Sequence, residues 1–391
     1  MNKNIKKLFI LIIFFAIAEG MFYNLLELWI QNNNMTITTT SRVLSLSALI
    51  TVSVIFLCSN LIKTKNLKRF ISTLLFIRVV VLIALHFLYQ TGYNIPIKFL
   101  IMVDYALSVE TLVSIYPLMS FFGKDDKLYA KKNLLYEIFY YIASFATGFL
   151  VGKTIFNYQF NYNSYTLLSA LCFMICYIAL YKVEIPNKKV DDHNNLLINF
   201  LSKVKKDKIS HLYFGYVITN DISFYALSGM LITILTKNFN LEPSLASNIK
   251  LAFAIVAVGI GALILYKLTL KNNYINLSIK LVGRIICYLL VVIYCNSITI
   301  IIGLLYTVLT SSAYGHVTDA PYINRFNNEE QLAFANLHEM IVYASRALGT
   351  FICGLGIVYG LRYNFIIAFV FTSICTIFAI LARYYLEKER R

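Results

Sequence analysis

Residues 7–30 read KLFILIIFFAIAEGMFYNLLELWI. The run is longer than the roughly 20 apolar residues a helix needs to cross a ~30 Å hydrocarbon core. Past Lys7, only Glu19, Tyr23, Asn24 and Glu27 interrupt it with polar groups. Its basic start (Lys3, Lys6, Lys7) and the small residues Ala16 and Ala18 imitate a secretory leader with a cleavage site. However, the apolar residues continue through Met21, Phe22, Leu25, Leu26 and Trp29 to Ile30, so the stretch reads as a retained first span.

The same texture recurs along the chain. Of 391 residues, 59% are hydrophobic and 14% charged, with a mean hydropathy of +0.69. A soluble domain of this size has too few charges here to cover its apolar surface. Apolar runs between polar breaks predict spans near 7–30, 41–62, 69–89, 97–122, 134–156, 163–182, 210–236, 245–267, 274–294, 297–320, 331–358 and 363–384. The expected fold is thus an all-α integral membrane protein with twelve transmembrane helices. The seven cysteines are scattered, odd in number and without Cys-x-x-Cys spacing, which argues against a disulfide framework or a zinc site.

The longest polar gap, 183–209, follows the sixth span and divides the chain into 1–182 and 210–391. Within it Leu196, Leu197, Phe200, Leu201 and Val204 have the spacing of a short amphipathic helix lying on the membrane surface. With the N-terminus cytoplasmic, 25 of the 35 Lys and Arg residues fall on the cytoplasmic side and five on the other. The remaining five (Arg78, Lys250, Lys280, Arg284, Arg346) lie within spans. This asymmetry predicts a cell-membrane protein with both termini cytoplasmic. The net charge of +16 is therefore an orientation signal. Dispersed over short loops, it does not form the single basic face that nucleic-acid binding needs.

Two spacings recur between the parts flanking the central loop. Glu19 and Tyr23 of the first span are echoed by Asp221 and Tyr225 of the seventh, 202 positions on. Ser72 and Arg78 of the third are echoed by Ser278 and Arg284 of the ninth, 206 positions on. Together they predict two pseudo-symmetric six-helix halves.

With twelve spans, cytoplasmic termini, a basic central loop and paired halves, the chain resembles the major facilitator superfamily over its whole length. The family's loop between spans two and three usually reads Gly-x-x-x-Asp-Arg/Lys-x-Gly-Arg/Lys-Arg/Lys. Here residues 59–69 are SNLIKTKNLKR, keeping the basic end but not the glycines or the aspartate. The family's antiporter motif in span five is half present as Gly148-x-x-x-Gly152, with Lys153 in the place of proline. The resemblance implies that spans one, four, seven and ten line a central cavity, that two, five, eight and eleven form the interface between halves, and that the protein works as a monomer.

Ionisable groups inside a bilayer are expensive, so they are the first candidates for function. Glu19, Tyr23 and Glu27 share one stripe of the first span, as do Asp221, Tyr225 and Ser228 of the seventh. Asp104 and Glu110 of the fourth span lie six residues apart and point about 120° away from each other. Span ten offers His316 and Asp319; span eleven offers Asn336, Glu339, Tyr343 and Arg346. Glu19, Glu110, Asp221 and Asp319 fall on spans that the resemblance assigns to the cavity, with Tyr23 and Tyr225 beside two of them. Such carboxyl groups suit proton coupling, because desolvation favours their neutral, protonated form. Arg78, Arg284, Glu339 and Arg346 are candidate charge partners or gating groups, and the arginines are alternatively holders of an anionic substrate.

The sequence contains no ATP-binding loop, potassium filter or recognisable nucleophile–His–acid arrangement. The expected function is therefore secondary active transport without cofactor or enzymatic activity, with a small molecule and protons as partners. Export of an amphipathic or cationic compound is expected from the acidic and aromatic residues in the cavity spans. Proton-coupled uptake of a small solute is the alternative within the class, and a lipid-handling, flippase-like protein the alternative outside it.

Overall fold

The computed structural model describes residues 3–32, 36–61, 67–91, 135–146, 163–184, 196–267, 273–310 and 321–390, with scattered positions between 100 and 111. Among them no strand occurs. The helices are α1 (Lys3–Asn32), α2 (Ile37–Leu61), α3 (Leu67–Thr91), α4 (Asn163–Tyr181), α5 (Leu196–Val204), α6 (Lys208–Ser228), α7 (Leu231–Asn238), α8 (Pro243–Lys267), α9 (Asn273–Tyr294), α10 (Ser297–Leu309), α11 (Asn328–Tyr359) and α12 (Leu361–Arg390). A further helical stretch covers 135–146, and 321–323 form one short turn.

Among the described residues, six stretches are long and apolar enough to cross a membrane: Ile37–Ser59, Leu67–Leu88, Lys208–Asn238, Leu277–Tyr294, Glu330–Tyr359 and Leu361–Glu389. Their outward faces carry exposed Leu57, Phe87, Ile293, Val358 and Ile377, as lipid contact requires. The protein is an all-helical, multi-pass membrane protein.

Local chemistry sets the helix ends. Asp207 caps α6, accepting from the amides of Ile209 and Ser210. Asn296 with Thr299 and Asn327 with Glu330 form reciprocal capping boxes at the starts of α10 and α11. Gly360, at φ +127°, turns the chain between α11 and α12 in a conformation that a side chain would strain. Span seven breaks at Gly229–Met230, so that α6 and α7 are two pieces of one crossing.

Helix packing shows a recurring pattern. α4 packs against α1 and α3, while α12 packs against α6 and α9. Ser169 Oγ of α4 donates to the Ala18 carbonyl of α1 at 3.3 Å. In the other part, Ser223 Oγ of α6 donates to the Ala368 carbonyl of α12 at 3.1 Å. α2 packs along α11, where Ser45 Oγ donates to the Ala347 carbonyl at 2.9 Å and Ser41 lies against Gly354. Small residues let two such helices approach closely. Close approach also fixes Gly20, where a Cβ would collide with the Tyr140 carbonyl oxygen.

Two clusters mark the end of the bundle that carries both ends of the chain. Lys7 donates to the Lys182 carbonyl at 2.7 Å, and Lys68 to those of Tyr181 and Val183 at 2.8 and 2.7 Å. Lys203 pairs with Glu330 at 2.6 Å, and Arg325 with Asp207 and Glu389, each at 2.9 Å. Leu332 of α11 joins the core of Leu8, Leu180 and Val183, which brings the two clusters to the same end.

The amphipathic helix in the central loop forms as expected, and part of its apolar face packs on protein, while Leu201 stays exposed. Leu197, Phe200 and Val204 are buried, with Phe200 5.1 Å from Phe326 and 6.3 Å from Phe334, ring centre to ring centre. The aromatic start of α11 offers that face a drier and better-packed partner than the headgroup region.

Candidate functional site

Two arginines are among the largest completely buried side chains of the molecule, and they sit in opposite electrostatic settings. Arg78, on α3, is fully buried. Its Nε donates to Asp104 Oδ1 at 3.1 Å and its Nη2 to Asp104 Oδ2 at 3.0 Å, a two-pronged ion pair. Its Nη1 donates to Glu19 Oε1 of α1. The guanidinium carbon stands 4.0 Å from the ring centre of Phe173 and 5.6 Å from that of Phe15. Tyr136 and Cys176 lie within electrostatic reach of both Glu19 and Arg78, and Glu137 within reach of Tyr136. One cation thus faces two carboxylates in a dry, aromatic-walled space. With both ionised the trio carries one net negative charge.

Arg284, on α9, is equally buried, but its hydrogen-bond partners among the described residues are all uncharged. Its Nε donates to Thr310 Oγ1 at 2.9 Å, Nη1 to Asn220 Oδ1 at 3.2 Å and Nη2 to the Thr307 carbonyl at 3.1 Å. One turn earlier on α9, the buried Lys280 donates to the Tyr216 hydroxyl at 3.1 Å. Asp221, half-buried, accepts from the Asn220 side-chain amide at 2.8 Å. Lys280, Arg284 and Asp221 all lie within electrostatic reach of Cys375 of α12.

The two sites occupy matching places. Arg284 follows Arg78 by 206 positions, and Thr310 follows Asp104 by the same 206. The acid that grips Arg78 is therefore replaced by a hydroxyl at the second site, while Lys280 adds a cation.

Of the other expected residues, Arg346 stands over the rings of Tyr225 and Tyr343, 5.0 and 5.7 Å from their centres. Glu339 contacts His338 Nδ1 at 3.4 Å on α11. The side chains of Tyr23 and Glu27, and all of Glu110, His316 and Asp319, lie outside the described residues. Asp104 and Lys280 were not singled out by sequence reasoning. Asp104 was weighed only against Glu110 on its own helix, whereas its partner is on α3. Lys280 lies within the same span as Arg284, four residues away and so one helical turn from it. The 206-residue offset was the signal that would have drawn Asp104 and Thr310 into one comparison.

No protein-family model matches the chain, and no curated protein matches it by sequence. Solved structures do match over nearly its whole length. The human organic anion transporter MFSD10 (TETRAN) superimposes with a TM-score of 0.70 at 10% identity, covering 98% of this chain and 100% of that one. The E. coli fucose:proton symporter FucP matches with a TM-score of 0.66 at 13% identity, covering 97% of this chain and 98% of that one. A bacterial homologue of the iron transporter ferroportin, in an outward-facing state, matches with a TM-score of 0.68 at 9% identity, covering 98% and 100%. The chain has the fold of the major facilitator superfamily.

Proposed function

We propose that the protein is a proton-coupled secondary transporter in which Glu19 carries the proton. The observation behind this reading is the Glu19–Arg78–Asp104 trio, one guanidinium against two carboxylates. A lone negative charge in a low-dielectric interior is costly, and one proton neutralises the trio. Arg78 gives two of its donors to the fully buried Asp104 and one to Glu19, which keeps slight exposure. The proton therefore goes to Glu19, and Asp104 stays ionised to anchor the arginine.

Alternating access would come from two related halves, 1–182 and 210–391, joined by 183–209. The repeated packing of α4 with α1 and α3, and of α12 with α6 and α9, supports that division. So does the contact of α2 with α11, built on small residues along which two bodies can rock. Both chain ends lie at one end of the bundle, where the basic clusters gather, and we assign that end to the cytoplasm.

Proteoliposomes loaded with a pH-sensitive dye and challenged with sugars, amino acids, organic acids and organic cations test the reading. At least one class should drive proton movement, whose sign distinguishes symport from antiport. Glu19→Gln should abolish that movement. Unchanged movement in the variant refutes the assignment to Glu19.

A further inference from the structure

The helix of the central loop keeps two apolar residues outside the protein core. Leu197, Phe200 and Val204 of α5 are buried, whereas Ile198 and Leu201 are 51% and 37% exposed. These two lie one turn apart, on the flank turned away from Lys203, whose ammonium pairs with Glu330 at the start of α11. Lys205 continues the same flank one turn further on. α5 sits at the level where the chain enters the membrane. Phe200 meets Phe334, inside the apolar stretch Glu330–Tyr359, and the stretch Lys208–Asn238 begins just beyond Val204. The sequence there reads Lys203-Val204-Lys205-Lys206-Asp207-Lys208. Its single acid turns inward, accepting from the Ile209 and Ser210 amides and meeting Arg325 at 2.9 Å. Lys205, Lys206 and Lys208 are exposed. A tight turn keeps them together, with the amides of Lys205 and Lys206 donating to the Leu201 and Lys203 carbonyls at 2.9 and 3.1 Å. Tyr385 of α12 holds Lys208, accepting from its Nζ at 2.7 Å with the ring centre 4.0 Å away. Lysines alone would be an ordinary solvated edge. Beside an exposed apolar pair at the membrane boundary, they make the pattern of a helix that lies on lipid.

We infer that this corner of the molecule binds the headgroups of anionic phospholipids. Ile198 and Leu201 enter the boundary between headgroups and acyl chains, and Lys205, Lys206 and Lys208 take the phosphates. The lysine stems lie along the apolar flank while their ammonium groups reach outward. The partner is a lipid surface and not a soluble phosphate, because the apolar flank is half of the site. α5 thus has two anchors, its buried face on α11 and its exposed flank on the bilayer. The inference rests on the membrane fold alone and is independent of what the protein carries or how it is driven.

The test is amide hydrogen exchange in residues 196–208 of the purified full-length protein, held in micelles of neutral detergent and phosphatidylcholine. Phosphatidylglycerol replaces phosphatidylcholine stepwise at constant total lipid. Protection of this segment should rise saturably with phosphatidylglycerol, and the rise should shrink as salt is added. Further phosphatidylcholine, or soluble glycerophosphate at the same concentration, should not reproduce it. Lys205→Gln with Lys206→Gln should raise the phosphatidylglycerol needed by about fivefold for each lysine removed. Ile198→Ser with Leu201→Ser should also raise it, by removing the apolar half of the site. All four side chains are exposed, so both variants should fold as wild type does. Lys6→Gln with Arg69→Gln, which removes two exposed charges from the other part of the molecule, should leave the response of 196–208 unchanged. Protection indifferent to phosphatidylglycerol, or rising equally with phosphatidylcholine or glycerophosphate, overturns the inference. So does a response that either α5 variant leaves untouched, or that the Lys6 and Arg69 variant weakens as much.

Discussion

Arg78 and Arg284 hold corresponding positions on α3 and α9, are buried to the same depth, and do opposite things electrostatically. The first is overpaired, with Asp104 on two of its nitrogens and Glu19 on a third. The second is underpaired, with two side-chain oxygens and a carbonyl in place of those carboxylates. The pair teaches that a repeated scaffold residue need not carry a repeated function. What differs is the countercharge, and a single exchange, Asp104 against Thr310, accounts for much of that difference.

The sharpest way to break this comparison is to delete each charge in turn. Arg78→Gln strands two carboxylates in a dry interior, and losing one partner of a buried pair costs roughly 3–5 kcal/mol. The variant should fail to accumulate or should unfold many degrees below wild type. Arg284→Gln gives up three hydrogen bonds to neutral partners and also sheds an expensive buried cation, so its loss should be no more than about 1–2 kcal/mol. Unfolding curves of both variants in the same detergent read the difference. Equal losses would mean that Arg284 is as tightly countercharged as Arg78.

A smaller effect is expected from exchanging the partners. Asp104→Thr gives Arg78 the hydroxyl that Arg284 has, and leaves Glu19 to balance it alone. The trio becomes a neutral one-to-one pair, so the destabilisation should be about 2 kcal/mol, less than for Arg78→Gln. The proton site should also be lost, because the excess negative charge that calls for a proton is gone. Solute-driven proton movement in the Asp104→Thr protein checks this. If proton movement persists in a folded variant, Glu19 does not depend on Asp104.

How much of this was legible beforehand depends on whether the information runs along one helix or between helices. Span length, the basic asymmetry and the repeat of Arg78 in Arg284 are properties of the chain itself. They sufficed for the membrane class and for the resemblance whose fold the solved structures share. The apolar stripe of the central-loop helix was read correctly, but what covers it, Phe326 and Phe334, was not. Hydrophobic spacing gives a face, not its partner. The ion pair of Arg78 with Asp104 failed to emerge for the same reason. Helical spacing compares Asp104 with Glu110, whereas the pairing crosses from one helix to another 26 residues away. Lys280 and Arg284, one turn apart, were within reach of a spacing argument. Their partners were not, because Tyr216 and Asn220 reach them from α6 and only the packed helices reveal that.

The smallest expected effect sets the same two parts of the molecule against each other at the end that carries both termini. In the first part Lys7 and Lys68 hold backbone carbonyls at the end of α4, and no carboxylate takes part in those bonds. In the second part the tie runs through Asp207, which caps α6 and meets Arg325. Burial alone would push the Asp207 carboxyl upward. The hydrogen bonds from Arg325 and Ser210 and the charge of Arg325 outweigh it, so the folded-state value lies below the ordinary 3.8. A carboxyl lowered in this way contributes its stability above the unfolded value and loses it as pH falls through the folded one. The α6 end should therefore weaken below about pH 4, and by more than the α4 end, where the bonds of Lys7 and Lys68 go to backbone carbonyls. The cap is worth roughly 1 kcal/mol, and the half-exposed ion pair adds less than that. Amide hydrogen exchange between pH 2.5 and 5, corrected for intrinsic rates, should show protection falling more in residues 208–212 than in 178–183. In Asp207→Asn the two segments should respond alike, because an asparagine still caps the helix and no longer titrates. Acid-induced opening of 208–212 that survives in that variant would place the titrating group elsewhere, with Glu389 on the far side of Arg325 the next to examine.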